Sequence, residues 1–177
     1  MKLRAESILQ FPREQVFRTY RDRLVELLPF LPNVRRIEVK SRRDEPPLVH
    51  LVNVWHGGGD IPKVVRSVLS ENMLSWTDHA KWDEGAWICE WRMETHSFPG
   101  VLHAVGVNRY LEAPGGSSII VEGELTIDGS KLPVPRLLAK TVAGAAESFL
   151  VAAVKPNLTE TAKGVGRFLE AEAKKKV

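Results

Sequence analysis

Residues 133–173 constrain the fold more than any other stretch, because they form a long helical pattern with one apolar face that has to be buried. Val134, Leu138, Val142, Ala145, Phe149 and Ala153 recur at helical spacing, and Leu137, Ala146 and Leu150 widen the stripe to that of a core-facing helix. Pro135 suits a first turn, whereas Pro156 lacks an amide hydrogen, so the helix is expected to bend or break near Lys155. Leu158, Val165, Phe168 and Leu169 then resume the apolar face, and a basic tail, Lys174 to Lys176, follows. Whatever this face packs on is expected to be built earlier in the chain.

The earlier part reads as a sheet. Residues 2–10 alternate as a strand with Leu3, Ala5, Ser7 and Leu9 on one side. Phe11-Pro12 opens an amphipathic helix bearing Val16, Phe17, Tyr20, Leu24, Leu27 and Leu28, expected to end near Pro29 and Pro32. Strands are predicted over 34–43, 48–56, 73–82, 86–97, 101–112 and 117–128, separated by turn-forming clusters such as Pro46-Pro47, Asp83-Glu84-Gly85 and Pro114-Gly115-Gly116. In the strand over 86–97, Trp87, Cys89, Trp91, Met93 and Thr95 share the apolar face. The last strand has Gly123 in the middle of its inner face. A short helix, IPKVVRSVL, follows the Gly57-Gly58-Gly59 run. That run is no phosphate loop, since neither Gly-Lys-Ser/Thr nor dinucleotide glycine spacing is present. The resulting fold class is α+β, an antiparallel meander covered on one face by the terminal helix.

With 177 residues and 44% hydrophobic content, the chain is expected to form a single domain, residues 1–177, with a sizeable core. The apolar runs are too short to span a bilayer and Met1-Lys2-Leu3-Arg4 leads into a strand, so a cytoplasmic location is expected. Cys89 is the one cysteine and reads as a small hydrophobe. Charge is uneven: residues 1–47, 48–130 and 131–177 carry net charges of +4, −6 and +5. The basic ends, including Arg13, Arg18, Arg21 and Arg23, suit either solvated helix faces or peripheral contact with an anionic membrane. No base-reading module is present, so no nucleic-acid partner is expected. The five histidines, His50, His56, His79, His96 and His103, are scattered without metal-ligand spacing, so no metal is expected, and no Gly-x-Ser-x-Gly elbow occurs for a hydrolase; no cofactor is expected.

The order of elements, with FPREQVFRTYRDRLVELLPFLPNVRRIEV at 11–39, RYLEAPGGSSIIVEGELTID at 109–128 and a long closing helix, resembles the START-like superfamily, the helix-grip or SRPBCC fold. The superfamily takes in birch-pollen-allergen-type proteins, START lipid carriers, coenzyme-Q-binding proteins and aromatic polyketide cyclases. The short helix after Trp55 also resembles the PRELI-type layout. The resemblance implies a curved sheet of about six to seven strands around the terminal helix, and a hydrophobic molecule or lipid held between them. Residues placed along such a tunnel are Trp55, Trp76, Trp87, Trp91, Met93, His103, Tyr110, Val121, Leu138, Val142, Ala145 and Phe149. His103 and Tyr110 are an odd number of residues apart and cannot both face inward on one regular strand. No catalytic residue transfers by motif, and the function expected is non-enzymatic binding or transport. The alternative is a polyketide cyclase or aromatase using His103, Arg109 and Tyr110.

Overall fold

The computed structural model describes residues 1–58, 74–97, 99–128, 131, 141, 144 and 159–175. The short helix expected after Gly59 and most of the first half of the closing helix lie outside these residues. Seven strands form, as the alternation predicts: β1 (Lys2–Leu9), β2 (Val34–Glu45), β3 (Leu48–Gly57), β4 (Ser75–Asp83), β5 (Ile88–Thr95), β6 (Leu102–Ala113) and β7 (Gly116–Ile127). They make one curved antiparallel sheet in the order β1-β7-β6-β5-β4-β3-β2. All but one of the neighbouring pairs are consecutive in sequence, and β1 closes the far edge by pairing with β7.

Helix α1 (Arg13–Asp22) crosses the inner face and buries Val16 and Phe17 completely. It is shorter than the apolar stripe suggests. From Leu24 to Phe30 the chain is a 3-10 helix containing Pro29, because an α-helical continuation would need an amide hydrogen that proline lacks. Leu24, Leu27 and Leu31 still point into the core. Helix α2, residues 159–174, supplies Ala162, Val165, Phe168 and Leu169 to the same cluster. Its glycines let it approach closely: a Cβ on Gly164 would lie 2.7 Å from Leu31 Cδ2 and 3.1 Å from the Phe30 carbonyl oxygen. Gly164→Ala is therefore expected to cost about 1–2 kcal/mol by overpacking, read as a lower denaturation midpoint at unchanged m-value.

The faces of the strands follow the two-residue period. Leu3, Ser7 and Leu9 of β1, Val49 and Leu51 of β3, Ala80 and Trp82 of β4, and Ile119 and Val121 of β7 are buried, while Ile8 is 73% exposed. Two departures have local causes. Val39 is exposed at the β2 edge, beside a register shift between Val39 and Ser41. Trp87 lies just outside β5, with φ 55°, so the regular alternation stops short of it, although it still packs against the core cluster that holds Cys89. Its ring stands edge-on to Phe17, at 5.2 Å between ring centres, with the Arg13 guanidinium 4.5 Å from its own ring.

The arginines of the first helical region are engaged within the molecule. Arg13 pairs with Glu112, Arg18 with Glu14 and Glu84, Arg21 with Asp22 and Glu84, and Arg23 with Glu26 and Glu172. Hydrogen bonds from Arg21 and Arg18 hold the Glu84 carboxyl below the usual carboxylate range. This network ties α1 to the β4–β5 turn, and its carboxylates balance the basic face locally. Among the described residues no helix is long and apolar enough to cross a membrane.

Candidate binding site

The inner face of β3 to β7 brings together side chains from distant parts of the chain. Trp55 of β3 pairs in register with Trp76 of β4, and their rings stack at 6.0 Å and 9°. Tyr110 of β6 is 1% exposed and stands edge-on to Phe17 at 5.0 Å, with Trp82 at 5.8 Å. Trp91 of β5 lies over the cross-strand pair Gly106 and Gly123. A Cβ on Gly123 would be 2.9 Å from Trp91 Cη2, and one on Gly106 would overlap the indole. The absence of side chains there lets the ring lie against the backbone, and its Nε1 donates to Asn108 Oδ1 at 2.9 Å. Trp91 thus covers a glycine pair that would otherwise leave a hole in the wall.

Of the twelve residues expected along the tunnel, Trp55, Trp76, Trp91, Met93, Tyr110 and Val121 lie on this inner face. Met93 borders a second cluster formed by Leu3, Leu102, Ala104 and Leu125. Trp87, just before β5, packs against the same core cluster through Phe17 of α1. His103 is exposed, as is Arg109, because both occupy the outer register of β6 while Ala104, Asn108 and Tyr110 occupy the inner one. Leu138, Val142, Ala145 and Phe149 lie outside the described residues.

Three polar residues that the sequence analysis did not single out stand on the inner register: Asn53, Asp78 and Asn108. Asn53, 1% exposed, faces Asp78 across the β3–β4 ladder and donates from Nδ2 to Asp78 Oδ2 at 3.2 Å. Burial pushes the Asp78 carboxyl up to about 6, against the opposing pull of the Asn53 amide and the Trp55 indole. The signal was available in Trp76-Thr77-Asp78-His79-Ala80-Lys81-Trp82, where an acid occupies an apolar register. Burial likewise raises the Tyr110 phenol and the Cys89 thiol well above their ordinary values, which keeps both neutral and Cys89 unreactive.

Several buried polar atoms on this side of the sheet have no hydrogen-bond partner: Asn53 Oδ1, Trp55 Nε1, Trp82 Nε1, Tyr110 Oη and Ser117 Oγ. Native interiors satisfy nearly all such groups, so a concentration on one face is unusual. Removing an orphan hydroxyl should be nearly free. Tyr110→Phe is expected to change unfolding free energy by less than about 0.5 kcal/mol or to raise it slightly, as read by urea denaturation. A loss of about 2 kcal/mol or more would mean that the hydroxyl is satisfied in the folded protein. Among the described residues no group of three histidine, cysteine or carboxylate side chains is placed to hold a metal ion.

No family profile and no curated protein sequence matches the chain. Its fold does have solved counterparts. The protein TTHA0849 from Thermus thermophilus is similar with a TM-score of 0.71 and 18% identity, over 97% of this chain and 99% of that one. The Zhui aromatase/cyclase from a Streptomyces species is similar with a TM-score of 0.68 and 16% identity, over 97% and 93%. Ara h 8.0201 is similar with a TM-score of 0.55 and 16% identity, over 96% and 98%. Identities this low speak to architecture alone. In that architecture, an antiparallel seven-stranded curved sheet with a C-terminal helix, the chain has the helix-grip fold.

Proposed function

We propose that this protein binds, and carries, a lipid or other hydrophobic small molecule between the inner face of the sheet and the C-terminal helix, without transforming it. The observation that carries this reading is the group of orphaned buried polar atoms, Asn53 Oδ1, Trp55 Nε1, Trp82 Nε1, Tyr110 Oη and Ser117 Oγ, set in a wall that is otherwise aromatic and aliphatic. Each buried group left without a partner costs about 1–3 kcal/mol. A ligand that is apolar over most of its surface and polar at one or two points would offset that cost. Burial of its apolar surface would add about 25 cal/mol per Å² removed from water. The fold, shared with proteins as different as an aromatase/cyclase and Ara h 8.0201, supports a hydrophobic ligand but does not choose among ligands.

Native mass spectrometry of freshly purified protein, followed by organic extraction, tests this reading. A retained apolar molecule supports it. A clean apoprotein that also takes up no hydrophobic probe in equilibrium dialysis overturns it. Peripheral attraction to an anionic bilayer through Lys174 and the residues after it is a further part of the proposal, and predicts vesicle association that weakens with added salt.

A second reading, an aromatase/cyclase-type enzyme, draws on one observation. Asp78 is a carboxyl on the inner wall whose titration is pushed up to about 6, close to the working pH of a general base. His103 and Arg109 face outward and cannot serve such a reaction in this geometry. Turnover of a polyketide substrate that is lost in Asp78→Asn would favour the enzyme over the carrier.

A further inference from the structure

Five adjoining side chains of the inner face, all on β4 and β5, keep part of their surface open to solvent. Trp76 stands opposite Thr95 and Asp78 opposite Met93, with Trp91 next along the same face of β5. The inner-face residues on either side are buried: Asn53 and Trp55 on β3, Ala104 on β6 and Leu125 on β7. Solvent in front of the five, with packed side chains around them, makes a recess in the wall. Asp78 is the one charged side chain among them. Its Oδ2 accepts from Asn53 Nδ2, a neutral donor, and among the described residues no lysine or arginine forms an ion pair with it. His79 acts on the Asp78 charge from the outer register of β4, and Tyr20 and Cys89, which feel the same charge from the interior, are kept neutral by burial. The recess therefore holds an acid without a cation facing it.

We propose that Asp78 is the counter-ion for a ligand that carries a protonated amine on an apolar body and sits in this recess. The inference rests on the hydrophobic-binding reading above and narrows it to one charge class. A carboxylate on an apolar wall is costly to keep ionised without a cation. The Asp78 carboxyl titrates at about 6, so at neutral pH it is mostly ionised and that cost is present. An ammonium group offsets it by direct pairing. Trp76 and Trp91, open to the same space, offer ring surface to the cation and to the apolar body behind it, and Met93 adds an adaptable apolar contact. A neutral ligand would strip water from the carboxylate and return no partner. A carboxylate or phosphate would place like charges together in a water-poor site, so fatty acids are rejected.

Equilibrium dialysis at about pH 7.5 with 1-naphthylmethylamine, 1-ethylnaphthalene and 1-naphthylacetate tests this, since the three probes share one ring system and differ in the charge of one substituent. The amine is expected to bind at least about tenfold tighter than 1-ethylnaphthalene, with 1-naphthylacetate weakest. Asp78→Asn, which keeps the size of the side chain and removes the charge, should abolish the difference between the amine and 1-ethylnaphthalene. Lowering the pH of the wild type to about 5 should shrink that difference as well, because Asp78 then takes up a proton while the amine stays charged, and this arm covers the case in which the variant does not fold. Equal binding of the amine and 1-ethylnaphthalene at the higher pH, a preference for 1-naphthylacetate, or an amine preference that survives Asp78→Asn overturns the counter-ion and leaves the hydrophobic-binding reading standing. Binding of none of the three overturns both.

Discussion

Replacing Gly106 by alanine is expected to destabilise the fold by about 3 kcal/mol, the upper end of what overpacking costs in a well-packed site. The added methyl would overlap the Trp91 indole and, behind it, the Glu122 carbonyl oxygen on the neighbouring strand. The ring cannot simply swing aside, because its Nε1 is bonded to Asn108 and its far edge lies on Gly123. The backbone cannot yield either, since Gly106 and Gly123 are paired in the β6–β7 ladder. In a chain of this length each kcal/mol moves Tm by roughly 2–4 °C, so a fall of about 6–12 °C is expected. Gly115→Ala is the control. Gly115 has φ 76° in an exposed turn with nothing within 4 Å of a Cβ, so only the left-handed backbone penalty of roughly 1–2 kcal/mol applies. If Gly106→Ala costs no more than Gly115→Ala, the indole is not seated on the glycine pair as described.

Asp78→Asn should stabilise the protein at about pH 7.5 by about 2 kcal/mol and leave it unchanged near pH 4. The folded carboxyl titrates at about 6, above its ordinary value of 3.8. Between those values the native state holds a proton that the unfolded chain has released, so stability falls as pH rises from about 4 to about 6 and stays lower above. Roughly two pH units at about 1.4 kcal/mol each set an upper bound of about 3 kcal/mol, and relaxation around the site reduces it. Asparagine keeps the size and the hydrogen bond with Asn53 and cannot ionise. Other carboxylates work in the opposite sense at lower pH, because Glu84, Asp44 and Glu38 are held below their usual range by hydrogen bonds from Arg21, Arg42 and Lys40 respectively. The informative quantity is therefore the difference between variant and wild type, from urea denaturation at several pH values. A difference that does not change with pH would mean that Asp78 is hydrated and ordinary. A stabilising substitution at a buried ionisable residue is also what a functional site predicts, since such groups are retained at a cost in stability.

Much of the architecture was legible in the residues. Seven strands, their turns, the helix after Pro12 and an apolar face at the end of the chain all follow from periodicity and from glycine and proline placement. The reason is local: a two-residue period assigns faces along a strand, and proline stops a ladder wherever it falls. The sequence also determined that His103 and Tyr110 could not both face inward. Only tertiary packing decided which, by setting Tyr110 against Phe17 and Trp82 and leaving His103 in the outer register.

Other choices were never local. Trp87 fits the alternation of β5, but its backbone is left-handed and the regular strand begins only after it, while its ring packs on Phe17 beside the Arg13 guanidinium. Helix α1 gives way to a 3-10 turn although its apolar stripe continues, because Pro29 forbids the bond that the stripe implies. Asp78 and Asn53 look like ordinary polar strand residues until β3 and β4 are in register, when each becomes the other's partner and Trp55 joins them. Amino-acid order alone determined which residues can share a face. Which of those faces became buried, and which polar groups were left there without partners, was decided by the elements that packed across them, since burial depends on neighbours far away in the chain.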